Sequence, residues 1–197
     1  MKTAFTKLAI IKAFGELAVM KTIDKITIKD IAEHCGIARN TFYYHYRDIY
    51  QVLKAFMEYK NQEMMNIIEG LGDEENPGII YMEFACYIID NKNLFFNMFR
   101  SGADREVKKY IEKSSTLIFN HLVERLSEGM DIPEKDKCLI SSICQYAARG
   151  LIMDWFEEEE RHNESGDSLP ELFQQAYYLF NGEIERALKR SAAQQKL

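Results

Sequence analysis

The stretch Thr27–Tyr46, TIKDIAEHCGIARNTFYYHY, constrains the fold more than any other part of the 197-residue chain. Ile28, Ile31, Ala32 and Cys35 fall at i, i+3, i+4 and i+7, one apolar stripe on a helix. Thr27 is placed to cap the start of that helix, with Asp30 three residues on in a capping-box arrangement. Gly36 stands where the helix must stop and reverse, because glycine alone takes the left-handed conformation cheaply. A second stripe follows, Ile37, Phe42 and Tyr46, and Ala32 is small enough for the second helix to cross closely. The residues left on the outer face are Arg39, Asn40, Thr41, Tyr43, Tyr44 and His45. These are donors and flat rings, the groups that meet phosphates and base edges. The pattern predicts a helix-turn-helix whose second helix enters a major groove, with Arg39, Asn40 and Thr41 in the first turn, where base contacts concentrate.

The rest of the composition fits a reader of DNA with a larger body attached. At 47% hydrophobic and 12% aromatic the chain can bury a sizeable core, and three prolines and ten glycines disfavour an all-β fold. No uninterrupted apolar run approaches a membrane span, and Lys2, Lys7 and Lys12 break any signal-peptide pattern, so the expectation is a cytoplasmic protein with no membrane partner. Cys35, Cys86, Cys138 and Cys144 have no metal-like spacing and read as reduced thiols. The net charge of −6 is unevenly shared. Residues 1–50 hold eight Lys/Arg against five Asp/Glu, +3, while the remainder holds 17 against 26, −9. Local charge decides phosphate attraction, so this split predicts DNA binding that weakens steeply with salt.

The run from Ile10 to Leu53 resembles the DNA-binding domain of TetR-family transcriptional regulators. Ile10, Ala13, Phe14 and Leu17 match a first helix, followed by Thr27-Ile28, Ile31-Ala32, Cys35-Gly36-Ile37, Thr41-Phe42-Tyr43, His45-Tyr46 and Leu53. The style of this segment is also similar to the subgroup that includes regulators of dihydroxyacetone kinase operons. The resemblance implies that Tyr43 and His45 touch the DNA backbone. Three departures stand out. Thr22 occupies a position that is usually glycine, so the connection after the first helix closes by another turn type. Ala38 replaces a serine cap, a loss of roughly 1 kcal/mol. Ile49 replaces a basic residue, for which Arg47 or Lys29 is the substitute, and Thr27 completes the predicted DNA-binding set.

Downstream periodicity predicts helices throughout. A helix from about residue 48 to 70 links reader to body, and Asn76-Pro77 opens the next, to about Asp90. Further helices follow at Leu94–Phe99, from Val107 to Leu126, from Glu134 to the acidic run Glu157–Glu160, and from Ser168 to near Lys189. Residues 161–167 read as a mobile loop and 191–197 as a polar tail. The expected fold is all-α: an N-terminal three-helix helix-turn-helix domain, residues 1–50, and a C-terminal helical ligand-binding and dimerisation domain, residues 51–197.

The body shows no catalytic constellation, no Gly-rich phosphate loop and no metal motif, which argues against an enzyme and calls for no cofactor. The resemblance implies an effector pocket, for which Tyr81, Phe84, Tyr87, Phe95, Phe99, Phe119, Tyr146 and Trp155 are candidate lining residues. It equally implies a two-fold dimer built from the last two long helices. Ala147 and Gly150 form a small-residue patch there, and Ile143, Leu151, Phe173, Tyr177 and Phe180 supply apolar faces. The expected partners are a palindromic operator in double-stranded DNA, a second copy of the chain and a small-molecule effector. The resulting expectation is a dimeric repressor; the alternative is an activator or adaptor whose C-terminal half binds a protein.

Overall fold

The structure, a computed structural model, describes residues 2–70, 83, 86–101, 104–162, 169–180 and 182–194. Among these residues every regular element is helical. The elements are α1 Lys2–Met20, a 3-10 turn Ile23–Lys25, α2 Ile28–His34, α3 Arg39–His45, α4 Ile49–Gly70, α5 Lys92–Arg100, α6 Asp104–Leu126, α7 Glu134–His162, α8 Leu169–Phe180 and α9 Glu183–Gln194. Residues 86–90 are also helical. The predicted boundary at 73–76, the opening of a helix at Pro77 and the larger part of the predicted loop at 161–167 lie outside the described residues. The chain forms two compact units, one of Met1–Glu63 and Asn91–Tyr110, the other of Met64–Asp90 and Ile111–Leu197.

The core of the first unit is the predicted stripe of α1. Ile10, Ala13, Phe14, Leu17 and Ala18 are buried, together with Ile31 and Ala32 of α2, Phe42 of α3 and Val52, Leu53 and Phe56 of α4. The Phe14 and Phe56 rings meet edge to face, 5.5 Å between centroids. Gly15 makes this approach possible: a Cβ built on it would lie 2.4 Å from the edge of the Phe56 ring. The connection after α1 closes as a 3-10 turn, with Lys25 N–H donating to Thr22 and Ile26 N–H to Ile23, each at 3.0 Å. Thr22 stays in the extended region at φ −62°, so no glycine is needed there.

A later segment completes this unit. Leu94, Phe95 and Met98 of α5 are buried, and Phe95 rests on Tyr110 with 5.6 Å between ring centroids. The Asn97 amide donates to the carbonyls of Ala18 and Val19, both at 2.9 Å. Helix C-termini leave carbonyls without intrahelical partners, and Asn97 satisfies two of them at the end of α1.

In the second unit α6 and α7 share a polar seam. Ser141 donates to Asn120 at 2.6 Å, Gln145 donates to Ser141 at 2.8 Å, and Thr116 donates to Gln145 at 2.9 Å. Val123, Ile132 and Leu188 form an apolar cluster beside it. Two expectations are corrected here. The helix predicted from Ser168 to near Lys189 is broken, because Gly182 adopts φ +77° between α8 and α9. The predicted tail is helical to Gln194, with Ser191 buried and donating to Asp136 at 2.6 Å.

The Gly15 contact gives a direct test. Gly15→Ala gains roughly 1 kcal/mol of helix propensity and incurs an overpacking cost of about 1–3 kcal/mol. Because the obstacle is a buried ring, the clash should win and the midpoint of urea unfolding should fall. Adding Phe56→Leu should recover much of the Gly15→Ala loss. A single variant as stable as the parent would contradict the close packing of α1 on α4.

Candidate nucleic-acid interface

The platform for the interface is α2, and its start is fixed by three bonds converging on Asp30. The Asp30 N–H donates to the Thr27 hydroxyl at 3.1 Å, and the Thr27 N–H donates back to the Asp30 carboxylate at 2.9 Å. This is the capping box that the sequence predicts. Lys21 adds an ion pair to the same carboxylate at 2.7 Å. The Lys21 ammonium first, and the Thr27 N–H second, hold the Asp30 carboxyl down at about 2. His34, at the end of α2, is tied to Glu16 of α1.

The turn is set by Gly36, at φ +66°. Its N–H donates to Glu33 at 3.2 Å and the Ile37 N–H to Ala32 at 2.9 Å, closing the end of α2. The Cys35 thiol donates to the Ile31 carbonyl at 2.8 Å, and burial pushes its pKa up. A half-buried thiol with its proton held by a carbonyl and its pKa raised is packing rather than a nucleophile.

Helix α3 then presents one face to solvent. Phe42 is fully buried and Tyr46 nearly so, while Arg39, Asn40, Tyr43 and Tyr44 are exposed and Thr41 and His45 half-buried. Tyr43 is 56% and Tyr44 78% exposed, so both phenols are free to meet a ligand. Ala38 caps the helix with backbone alone, with no side-chain bond. His45 packs edge to face on Tyr44, 5.0 Å between ring centroids, and its Nδ1 is buried without a hydrogen-bond partner. That leaves Nε2 as the ring nitrogen placed to bond outward.

The next corner is equally well tied. Asp48 accepts from the Gln51 N–H at 2.9 Å, Gln51 accepts from the Arg47 N–H at 2.9 Å, and Arg47 pairs with Asp48 at 3.1 Å. The Gln51 N–H foremost, with Arg47 assisting, lowers the Asp48 pKa. Ile49 is half-buried, whereas Tyr50 is 70% exposed. Tyr50 lies outside the set that the sequence predicts, and the inward placing of 49, 52, 53 and 56 on α4 turns it to solvent. Lys29 is exposed and pairs with Glu33 at 3.7 Å, and Thr27 spends its acceptor on the capping box.

The aromatic candidates of the body divide. Tyr87, Phe119 and Trp155 are buried in the second unit; Phe95, buried, and Phe99, half-buried, belong to the first. Tyr146 is 65% exposed, beside Arg149, whose guanidinium lies 4.8 Å from the ring centroid. Tyr81 and Phe84 lie outside the described residues. On α7, Leu139, Ile143, Tyr146, Ala147 and Gly150 form an exposed row, and Leu151 is half-buried. Phe173, Tyr177 and Phe180 are on the backbone of α8. Among the described residues no group of His, Cys, Asp and Glu could hold a metal, and no helix is long and apolar enough to cross a membrane.

The Asp30 network predicts an acid titration. The folded pKa is depressed, so the cap's contribution is complete above the ordinary carboxylate value near 3.8 and is lost as pH falls through about 2. Carboxyl carbon chemical shifts should place the Asp30 midpoint near 2, and Lys21→Ala should move it back toward 3.8. An Asp30 midpoint of 3.8 in the parent would rule out the charge-assisted cap.

Comparison with known proteins follows the same lines. Residues 10–56 match the family model described as "Bacterial regulatory proteins, tetR family", and residues 75–166 match "Transcriptional regulator C-terminal region". No curated protein matches the chain. Among solved structures, the dihydroxyacetone kinase operon activator DhaS is 20% identical, with 91% of this chain and 96% of that one covered at a TM-score of 0.67. A TetR-family transcriptional regulator from Streptomyces coelicolor is 13% identical, covering 95% and 88% at 0.66. A TetR transcriptional regulator from Rhodococcus is 15% identical, covering 92% of each chain at 0.57. At such identities the structures speak for the fold, and the family models carry the assignment. With a helix-turn-helix whose outer face bears Arg39, Asn40, Tyr43 and Tyr44, the chain belongs to the TetR family of transcriptional regulators.

Proposed function

We propose that the protein acts in the cytoplasm as a homodimeric repressor that reads a palindromic operator and is released by a small molecule. The observation that carries this reading is the two-sided character of α3: Phe42 is fully buried, and the opposite face presents Arg39, Asn40, Tyr43 and Tyr44. In the groove, Arg39 forks onto a guanine and Asn40 onto an adenine, with Thr41 and Tyr44 beside them, while Tyr43 and His45 fix the register on the phosphates. Thr27, Lys29 and Arg47 flank them. Two copies related by a two-fold axis present two such helices to half-sites about one helical turn apart.

The row Leu139, Ile143, Tyr146, Ala147 and Gly150 supports the dimer. It is apolar, continuous at helical spacing and exposed in the single chain, and Gly150 has open space where a Cβ would stand. An isologous contact through this row, joined by α8, buries it. Tyr146 then serves the interface, and the effector site falls to aromatic residues elsewhere in the body, Tyr87, Phe119 and Trp155 among them. Effector binding biases the dimer toward a spacing of the two readers that the operator does not fit, which lowers DNA affinity. A second reading draws support from DhaS, an activator with the same fold. In that reading the body binds a protein partner and the regulator activates.

Selection of genomic fragments by the purified protein, followed by footprinting, tests the core of the proposal. It should return a protected palindrome, and sedimentation at micromolar concentration should give twice 23.1 kDa. A monomer that still protects a palindrome tightly would refute the dimer, and the absence of any enriched fragment would refute sequence-specific binding.

A further inference from the structure

The last turn of α1 is closed by a side chain from far along the sequence. An α-helix leaves its last carbonyls without intrahelical donors. Lys21 gives its N–H back into α1, to the Leu17 carbonyl at 3.0 Å. Thr22 then turns to extended backbone, φ −62° and ψ 150°, so the ladder that would bring the next two N–H groups to Ala18 and Val19 stops there. The Asn97 amide of α5 takes their place and donates to both carbonyls at 2.9 Å. An amide NH₂ carries two hydrogens, so one side chain serves both acceptors.

The turn that Asn97 closes carries the tie between α1 and the helix-turn-helix. The Lys21 ammonium pairs with Asp30 at 2.7 Å. That carboxylate also accepts from the Thr27 N–H, and the Asp30 N–H donates to the Thr27 hydroxyl, which together start α2. At its other end α2 is tied through His34 to Glu16. Helix α2 is thus held on α1 at both ends, and α3 follows it through the reversal at Gly36. Glu16 lies in α1 ahead of the carbonyls that Asn97 takes, whereas Lys21 lies just beyond them. Without the amide, the last turn of α1 frays and the Lys21 backbone loosens. An ammonium on a loose backbone spends less of its time on the carboxylate, so the start of α2 is the end that Asn97 governs.

We propose that Asn97 is a positioning residue for DNA reading: by closing the end of α1 it fixes Lys21 on Asp30, and so sets the helix α2 on which the recognition helix is seated. The proposal rests on the DNA-reading role given above and extends it to a residue far outside the helix-turn-helix. Both hydrogens of the Asn97 amide are spent on α1, so their influence reaches α3 only through Lys21, Asp30 and α2. The route is a chain of bonds within one compact unit, with each link on the next residue or the next helix. Removing hydrogen bonds of this kind shifts a local opening equilibrium by about 3- to 10-fold.

The test uses the full-length protein. Asn97→Ala removes both bonds, leaves Leu94, Phe95 and Met98 buried and favours the helix α5, so its circular dichroism spectrum should match the parent. Carboxyl carbon shifts should show its Asp30 midpoint moved from about 2 part of the way to 3.8, although Asp30 is bonded by Lys21 and Thr27 and not by Asn97. On the footprinted fragment at one fixed salt, Asn97→Ala should weaken binding by about 3- to 10-fold. Lys21→Met removes the ammonium and keeps the stem. Asn97→Ala combined with Lys21→Met should bind no more weakly than Lys21→Met alone, because the two act along one route. An Asp30 midpoint left at about 2 in Asn97→Ala would overturn the proposal, and so would losses that multiply in the double variant. A parent that binds no DNA overturns the reading role itself, while the Asp30 titration still decides whether Asn97 governs the cap, which separates the two failures.

Discussion

The recognition helix depends on the burial of Phe42. Helix α3 has seven residues, and its cap, Ala38, makes no side-chain bond. An isolated helix of that length does not persist in water, because nucleation is too costly for the few bonds gained. Phe42 has no exposed surface, and burying such a ring is worth about 1.5–3 kcal/mol. That anchorage, with Tyr46 beside it, is what points Arg39, Asn40, Tyr43 and Tyr44 outward together. The arrangement is a helix held from behind rather than one stabilised from within, and a DNA duplex in front would add the missing order at the uncapped end.

Behind Phe42 stands α1, which ties the first unit together. Its stripe packs with α2, its Gly15 admits the Phe56 ring of α4, and its last carbonyls are taken by Asn97 of α5. Asn97 lies 79 and 78 residues from its two acceptors, yet α5 and the head of α6 belong to the same compact unit as the helix-turn-helix. The reading head is therefore built on residues contributed from both sides of the segment that the linking helix leads into.

The features that sequence exposes well are those whose physics is local. The Thr27–Asp30 box, the reversal at Gly36 and the Asp48 start of α4 are each specified within four residues, and each is found as the spacing predicts. What sequence conceals is set by distant partners. Gly15 carries no sign that Phe56 will stand over it, Glu16 none that His34 will reach it, and Asn97 none that it will close α1. The break at Gly182 hides inside an apolar period that continues on both sides, and the tail looked solvated until Asp136 supplied a partner for Ser191. A count of lysines and arginines does not show which of them already hold a carboxylate.

The proposed function divides the labour on α3, with Arg39 to read bases and His45 to hold the backbone. A pair of titrations at one fixed salt, against the footprinted sequence and a scrambled one, measures it directly. Arg39→Ala should lose about 1–3 kcal/mol on the footprinted sequence and much less on the scrambled one. His45→Ala should weaken both by similar factors, because a phosphate contact carries no sequence information. Equal losses for Arg39→Ala on the two sequences would contradict this division and leave base reading to Asn40, Thr41 or Tyr44.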